Sequence, residues 1–164
     1  MLPRAQSYAT WLGIVRIFTG IIWLLHGVPK LLNPNFAGPD GMAGMVQEAA
    51  THNTSAYGAF LTHVVLPNAA LFAHLVAWGE TLTGVSLLLG LFTRVGGFFG
   101  VFLPLNYWAM KMGWATTGGW SGLDMTTLAL SFVNLVLPTG LALGLDGLIA
   151  ARRSAPRVNS GPES

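Results

Sequence analysis

The chain has 164 residues, of which 52% are hydrophobic and only 9% charged, and its formal net charge is +2. A soluble domain carries about 25% charged residues, so this is the composition of a membrane protein, and a positive excess this small and scattered does not point to nucleic acid. The chain has no cysteine, which excludes disulfides, iron–sulfur clusters, thiolate metal sites and a cysteine nucleophile.

The length suits one domain, expected over residues 1–153 as an all-α, four-helix transmembrane bundle with an extracytoplasmic segment between helices one and two. A hydrocarbon core of about 30 Å takes about 20 helical residues to cross. Four apolar segments come near or reach that length: 11–32, 69–90, 95–112 and 123–145. The first should stop at Leu32, because the Asn33-Pro34 step disfavours further helix. It is longer than a signal-peptide core and carries Arg16 and Lys30, so it is expected to be retained. Pro34, Gly38 and Pro39 mark a turn, and a short helix is expected over 42–50. The apolar stretch 56–66 is too short to span; it either lies at the interface or leads into the second helix. Residues 91–94 close a tight antiparallel hairpin between the second and third helices.

Gly96/Gly100 and Gly140/Gly144 are GxxxG pairs suited to close helix packing. Pro104 and Pro138 should bend their helices near Asn106 and Asn134. The glycine-rich loop 113–122 places Trp114 and Trp120 in the interfacial belt. Ser121-Gly122-Leu123-Asp124 matches a capping box opening the fourth helix. Asp146 should simply solvate that helix's end, and 154–164 is a short polar tail expected to be disordered. Arg4, Arg94, Arg152, Arg153 and Arg157 fall on one side if both termini are cytoplasmic, and 33–68 has no lysine or arginine. That asymmetry sets the expected orientation in a plasma membrane, with Lys30 and Lys111 snorkelling at outer helix ends.

Glu80 lies inside an apolar span, where a lone carboxylate costs about 2.5–3.5 kcal/mol on insertion scales, so it needs a cation, protein or water beside it. At about 100° per residue, Arg16 and Lys30 fall within about 40° of each other on the first helix, as do His26 and Lys30. With the second helix antiparallel, Glu80 sits at a depth between Arg16 and His26, and either could contact it. Such a pair either fixes helix register alone or serves chemistry. His26 and His74 at one depth could also ligate haem, but no further ligand spacing supports a b-type haem; core hydrogen bonding or proton exchange with a quinone fits them better. His52 and His63 lack carboxylates at metal spacing, and no metal site is expected. Trp78, two residues before Glu80, could wall a slot beside the charge.

Together, Arg16-x3-Gly20, His26-Gly27-x-Pro29-Lys30-Leu31 and Gly79-Glu80-x3-Gly84-x2-Leu87-Leu88-Leu89-Gly90-Leu91-x-Thr93-Arg94 resemble the DoxX/DoxD family of small four-helix membrane proteins, over nearly the whole chain (11–145). DoxD-type members are the small subunit of thiosulfate:quinone oxidoreductase. The resemblance implies a quinone-linked redox subunit in the plasma membrane, with a second subunit or soluble oxidoreductase as partner. The expected site has Glu80, His26 and Arg16 as the catalytic group and Lys30, Trp78 and Arg94 binding substrate or quinone. Without cysteine, no thiol of this chain could carry sulfur if thiosulfate is the donor. A non-catalytic membrane anchor or assembly partner is the alternative from another class. A permease is disfavoured, since four helices leave little room for alternating repeats.

Overall fold

The computed structural model describes residues 3–115 and 122–154, with side chains from 6 onward. No strand occurs among them. Helix α1 runs Pro3–Leu32 and ends one residue short of Asn33-Pro34. Helix α2 (Met42–His52) forms where the short outer helix was expected. Helix α3 (Ala56–Phe60) starts on Ser55, whose hydroxyl accepts the Tyr57 N–H. It passes through a π turn, Leu61–Val65, and a 3₁₀ turn, Leu66–Asn68, into α4, Ala69–Leu89. Pro67 accounts for the irregular turns: it has no N–H and its ring crowds the carbonyl four residues back, so the ladder must shift. The apolar stretch 56–66 therefore leads into the second long helix.

Helix α5 spans Thr93–Met110 and α6 Leu123–Val136. The fourth expected span, 123–145, is cut short. Leu137, ahead of Pro138, is extended (φ −98°, ψ 149°), which is the conformation a following proline imposes. The chain turns through Thr139–Leu141 and resumes as α7, Leu145–Ser154. Gly140 and Gly144 thus lie outside any α-helix, and only Gly96/Gly100 acts as a helix-packing pair, against Ser86 of α4 and Ser131 of α6. The expected capping residue Ser121, Trp120 and the tail from 155 lie outside the described residues.

Helices α1, α4, α5 and α6 form a ring, each packed on two others: α1 on α4 and α6, α5 on α4 and α6. Gly20 faces Gly84 and Leu88, and Gly27 faces Glu80 and Thr81, so close that a Cβ on Gly27 would lie 2.6 Å from Thr81 N. These contacts fix the antiparallel register: α1 ends opposite the middle of α4, not opposite its start. The two turns of α4 beyond α1 are covered instead by α2 and the π turn, around Phe36, Met42, Val46, Leu61, Val65, Ala73 and Ala77. The stretches Gln6–Leu32 and Ala56–Leu89 are long and apolar enough to cross a membrane. Leu71, Leu75, Leu82, Phe98 and Phe102 are exposed along the outside of the ring.

Candidate functional site

The two ends of the ring differ. At the end bearing α2, the register places Lys30 over Glu80. Lys30 Nζ donates to both Glu80 oxygens, at 2.6 and 2.7 Å, and to the Tyr107 hydroxyl at 3.0 Å. Tyr107 in turn donates to Glu80 Oε1 at 3.1 Å. The carboxylate is almost wholly enclosed, its side chain 2% exposed against 23% for Lys30. The ammonium also lies 5.1 Å from the Tyr107 ring centre and 5.7 Å from that of Phe36, inside cation–π range. The expected cation for Glu80 was Arg16 or His26; the structure provides Lys30, which turns inward where snorkelling was expected.

This triad floors a cavity of about 490 Å³. Trp23, Trp108 and Pro104 wall it, His26 stands at its side, and Lys111 and Asp124 lie at its mouth. Trp23 is fixed by its N–H to Ser131 Oγ, 3.1 Å. Asp124 accepts from Lys111 Nζ at 2.7 Å, so it closes an ion pair at the rim. His26 is exposed, with Nδ1 2.7 Å from the Ile22 carbonyl, which leaves Nε2 to face the solvent or a ligand. A cation, a buried carboxylate, a phenol and an imidazole around one aromatic-walled space can bind a flat polar ring, donate hydrogen bonds to its oxygens and exchange protons with it.

The structure brings His26, Lys30 and Glu80 together and leaves Arg16, Trp78 and Arg94 elsewhere. Trp78 is half-exposed on the outer surface of α4. Arg94 is exposed at the opposite end, in a hollow with Phe92, Thr93 and Asp146. His74 is also exposed on α4; the register sets it about two turns beyond His26, so the two histidines do not share a level. Tyr107 was missed from sequence. A hairpin closing at 90–92 places Glu80 opposite about residue 103, and Tyr107 is one turn further out, within reach of a long side chain.

Arg16 is fully buried at the opposite end, its Nη2 donating to the Leu143 carbonyl at 2.7 Å. Its Nε and Nη1 have no hydrogen-bond partner among the described residues. It threads between Gly90 and Gly144; a Cβ at Gly90 would lie 1.7 Å from Nη1. Gly90 also has φ +66°, the left-handed conformation of a helix C-cap. Asp146, expected merely to solvate a helix end, instead caps α5: the Phe92 and Thr93 N–H groups donate to Oδ1 and Oδ2 at 2.9 and 3.1 Å, and the Thr93 hydroxyl donates to Oδ2. Its charge also acts on Arg16 through space.

No curated protein and no solved structure matches the chain. A family model does: the one described as DoxX matches residues 11–111, which include Arg16, His26, Lys30, Glu80 and Tyr107 and stop before α6. The expected resemblance ran further, to 145. With more than half of the sequence matched, this chain belongs to the DoxX family, a membrane-associated family.

Proposed function

We propose that the protein is the membrane subunit of a quinone-linked oxidoreductase, and that the cavity over Lys30, Glu80 and Tyr107 receives the quinone headgroup. In this reading α1, α4, α5 and α6 all cross the plasma membrane, both termini are cytoplasmic and the α2 end faces outward. The 14 residues of α6 give only about 21 Å of helix; the stretch 137–144, with its 3₁₀ turn at Thr139–Leu141, completes the crossing, burying Thr139 and Gly140 against protein and turning Leu137, Leu141 and Leu143 outward.

One observation carries the proposal: a buried carboxylate, ion-paired and bonded to a phenol, forms the floor of an open, aromatic-walled cavity. Quinone reduction takes up two electrons and two protons to give the quinol. Lys30 Nζ and the Tyr107 hydroxyl would each redirect a hydrogen now given to Glu80 or to one another toward one quinone oxygen, Trp23 and Trp108 would flank the ring, and His26 would pass protons between water and the headgroup. Glu80 would hold Lys30 charged and positioned. Two thiosulfate ions joining as tetrathionate release the two electrons required. No thiol here can carry the sulfur, so they would arrive directly from the anions or through a partner subunit.

The test is a titration of the purified, lipid-reconstituted protein with a short-chain quinone, followed by quenching of tryptophan fluorescence and by reduction with a panel of sulfur donors. Lys30→Gln should weaken binding by about tenfold or more, the value of a hydrogen bond from a charged group, and Tyr107→Phe by roughly two- to tenfold, the value of a neutral one. Trp78→Phe should leave it unchanged. A wild-type protein that neither binds nor reduces quinone would replace this proposal with the non-catalytic anchor.

A further inference from the structure

Helix α7 is held from one side only. The Asp146 carboxylate points back to the start of α5, and the Asp146 N–H donates to the Gly90 carbonyl at 2.8 Å. Gly147 sits so near the Leu141 carbonyl that a Cβ there would lie 2.3 Å from its oxygen. At about 100° per residue, Asp146, Gly147 and Ala150 share this inward side. Leu145, Leu148 and Ile149 therefore fall on the opposite side, with Arg152 one turn further along it; Arg153, seven residues after Asp146, falls on the Asp146 side, beyond the contact with α5, and is exposed. No residue of α7 is buried; Leu148 is 60% exposed, and Leu141 and Leu143 extend the apolar surface back toward the bundle.

Charge sorts the same way. Arg94, Arg152 and Arg153 are exposed at this end of the molecule. Among the described residues Asp146 is the one carboxylate there, and it is already engaged with α5. Glu80 and Asp124, by contrast, lie at the cavity end, each paired with a lysine. A short helix that offers aliphatic side chains and Arg152 on its outward face and a second exposed arginine at its end, beside a bundle already apolar on its flanks, has the pattern of a segment lying in the headgroup region. The apolar side chains reach the acyl boundary, and the guanidiniums meet lipid phosphates, to which their planar fork is matched.

We propose that α7 is an interfacial helix that binds anionic lipid headgroups through Arg152 and Arg153, with Arg94 alongside, and seats Leu145, Leu148 and Ile149 in the membrane. The occupant is the lipid surface and not a second copy of the chain, because the helix sets exposed arginines beside aliphatics and, among the described residues, this end supplies no free carboxylate to answer them in a self-complementary contact. This inference is independent of quinone binding and needs only the membrane setting.

The native chain has no cysteine, so one label can be placed on the whole protein at Ile149→Cys and, as a control, at the exposed Gln47→Cys on α2. Each labelled protein is reconstituted in phosphatidylcholine bilayers with and without phosphatidylglycerol, using a polarity-sensitive fluorophore and acyl-brominated lipid as quencher. The label at 149 should emit blue-shifted and be quenched by brominated lipid, more so with phosphatidylglycerol, while the label at 47 should not. Arg152→Gln with Arg153→Gln should weaken the docked state in the anionic bilayer by roughly tenfold or more, and raised salt should act in the same direction. Water-like emission at 149, or equal quenching in both bilayers with no effect of the arginine pair, would overturn the proposal. So would quenching that vanishes as protein is diluted at constant lipid, the mark of a second copy. Leu148→Cys serves as the label site if Ile149→Cys fails to fold.

Discussion

Glu80→Gln removes one charge of the Lys30–Glu80 pair while keeping its shape. The glutamine can still accept from Lys30 and Tyr107, but the ammonium loses its counter-charge in a site walled by Phe36 and Tyr107. Breaking a buried pair by removing one partner costs about 3–5 kcal/mol. Because the Lys30 side chain retains 23% exposure and can draw in water, Glu80→Gln should fall at the low end, about 3 kcal/mol. Lys30→Gln leaves a carboxylate only 2% exposed with Tyr107 as its remaining donor, and should fall at the high end, about 5 kcal/mol. The double variant buries no charge and should lie within about 2 kcal/mol of the wild type, the value of the imperfect hydrogen bonds left behind. Denaturant unfolding in micelles, followed by tryptophan fluorescence, measures all three. Arg16→Gln combined with Glu80→Gln should instead add within about 0.5 kcal/mol, since the two residues lie at opposite ends of the bundle and share no partner. The reasoning fails if the Lys30/Glu80 double variant is as unstable as the sum of its singles, or if Arg16→Gln rescues Glu80→Gln.

Gly90→Ala forces a Cβ into a left-handed residue and against Arg16 Nη1, so it should lose at least about 1–2 kcal/mol from the backbone alone. Gly122→Ala, where a Cβ meets nothing within 4 Å, should be near neutral in the same unfolding assay. Asp146→Ala removes the cap of α5 and should cost about 1–2 kcal/mol, plus whatever Arg16 loses with the nearby charge. Asp146→Asn keeps cap acceptors without the charge, so the difference between the two variants, read as a shift in unfolding midpoint, separates these contributions.

Much of the architecture follows from hydrophobic length, since runs of apolar residues interrupted by Asn33-Pro34 and by the 90–92 turn leave few other options. The stop at Leu137-Pro138 was not legible in the same way. The run stays apolar to Leu145, and hydropathy alone does not register that Pro138 ends the helix and does not merely bend it. That one break changes the meaning of three features: Gly140/Gly144 become a cradle for Arg16, Asp146 becomes the cap of another helix, and α7 separates from α6. The site was half legible. Composition and charge singled out Lys30, His26 and Glu80, but pairing them needs the α1–α4 register. That register is set by where Gly20, Gly27 and Gly84 let two backbones touch, not by aligning helix ends. Aligned ends bring Glu80 to the level of Arg16 and His26; the glycine contacts bring Lys30 over it. Trp78 illustrates the complementary limit. Two residues from Glu80 on a helix is about 200° around the axis, so sequence neighbours at that spacing face opposite ways, one into the bundle and one out of it.

The molecule buries one cation, Arg16, and half-buries another, Lys30, and their surroundings suit them to different work. Arg16 is enclosed between Gly90 and Gly144 and bonded to the Leu143 carbonyl, with the Asp146 charge near. Its contacts join α1 to the 90–92 turn and to the segment before α7, so its removal should be felt as a loosened fold. Lys30 is bound as tightly, by two carboxylate oxygens and a phenol, yet its ion pair borders about 490 Å³ of open space that also touches His26 and two tryptophans. A pair needed only for register could be sealed by apolar side chains at no loss, and replacing such pairs by packed hydrophobic residues is often neutral or stabilising. Keeping it beside a cavity, with a phenol bonded to both members, is what the proposed headgroup site would require. On that contrast the chemistry proposed above belongs at the Lys30 end, and Arg16 is the mechanical clamp at the other.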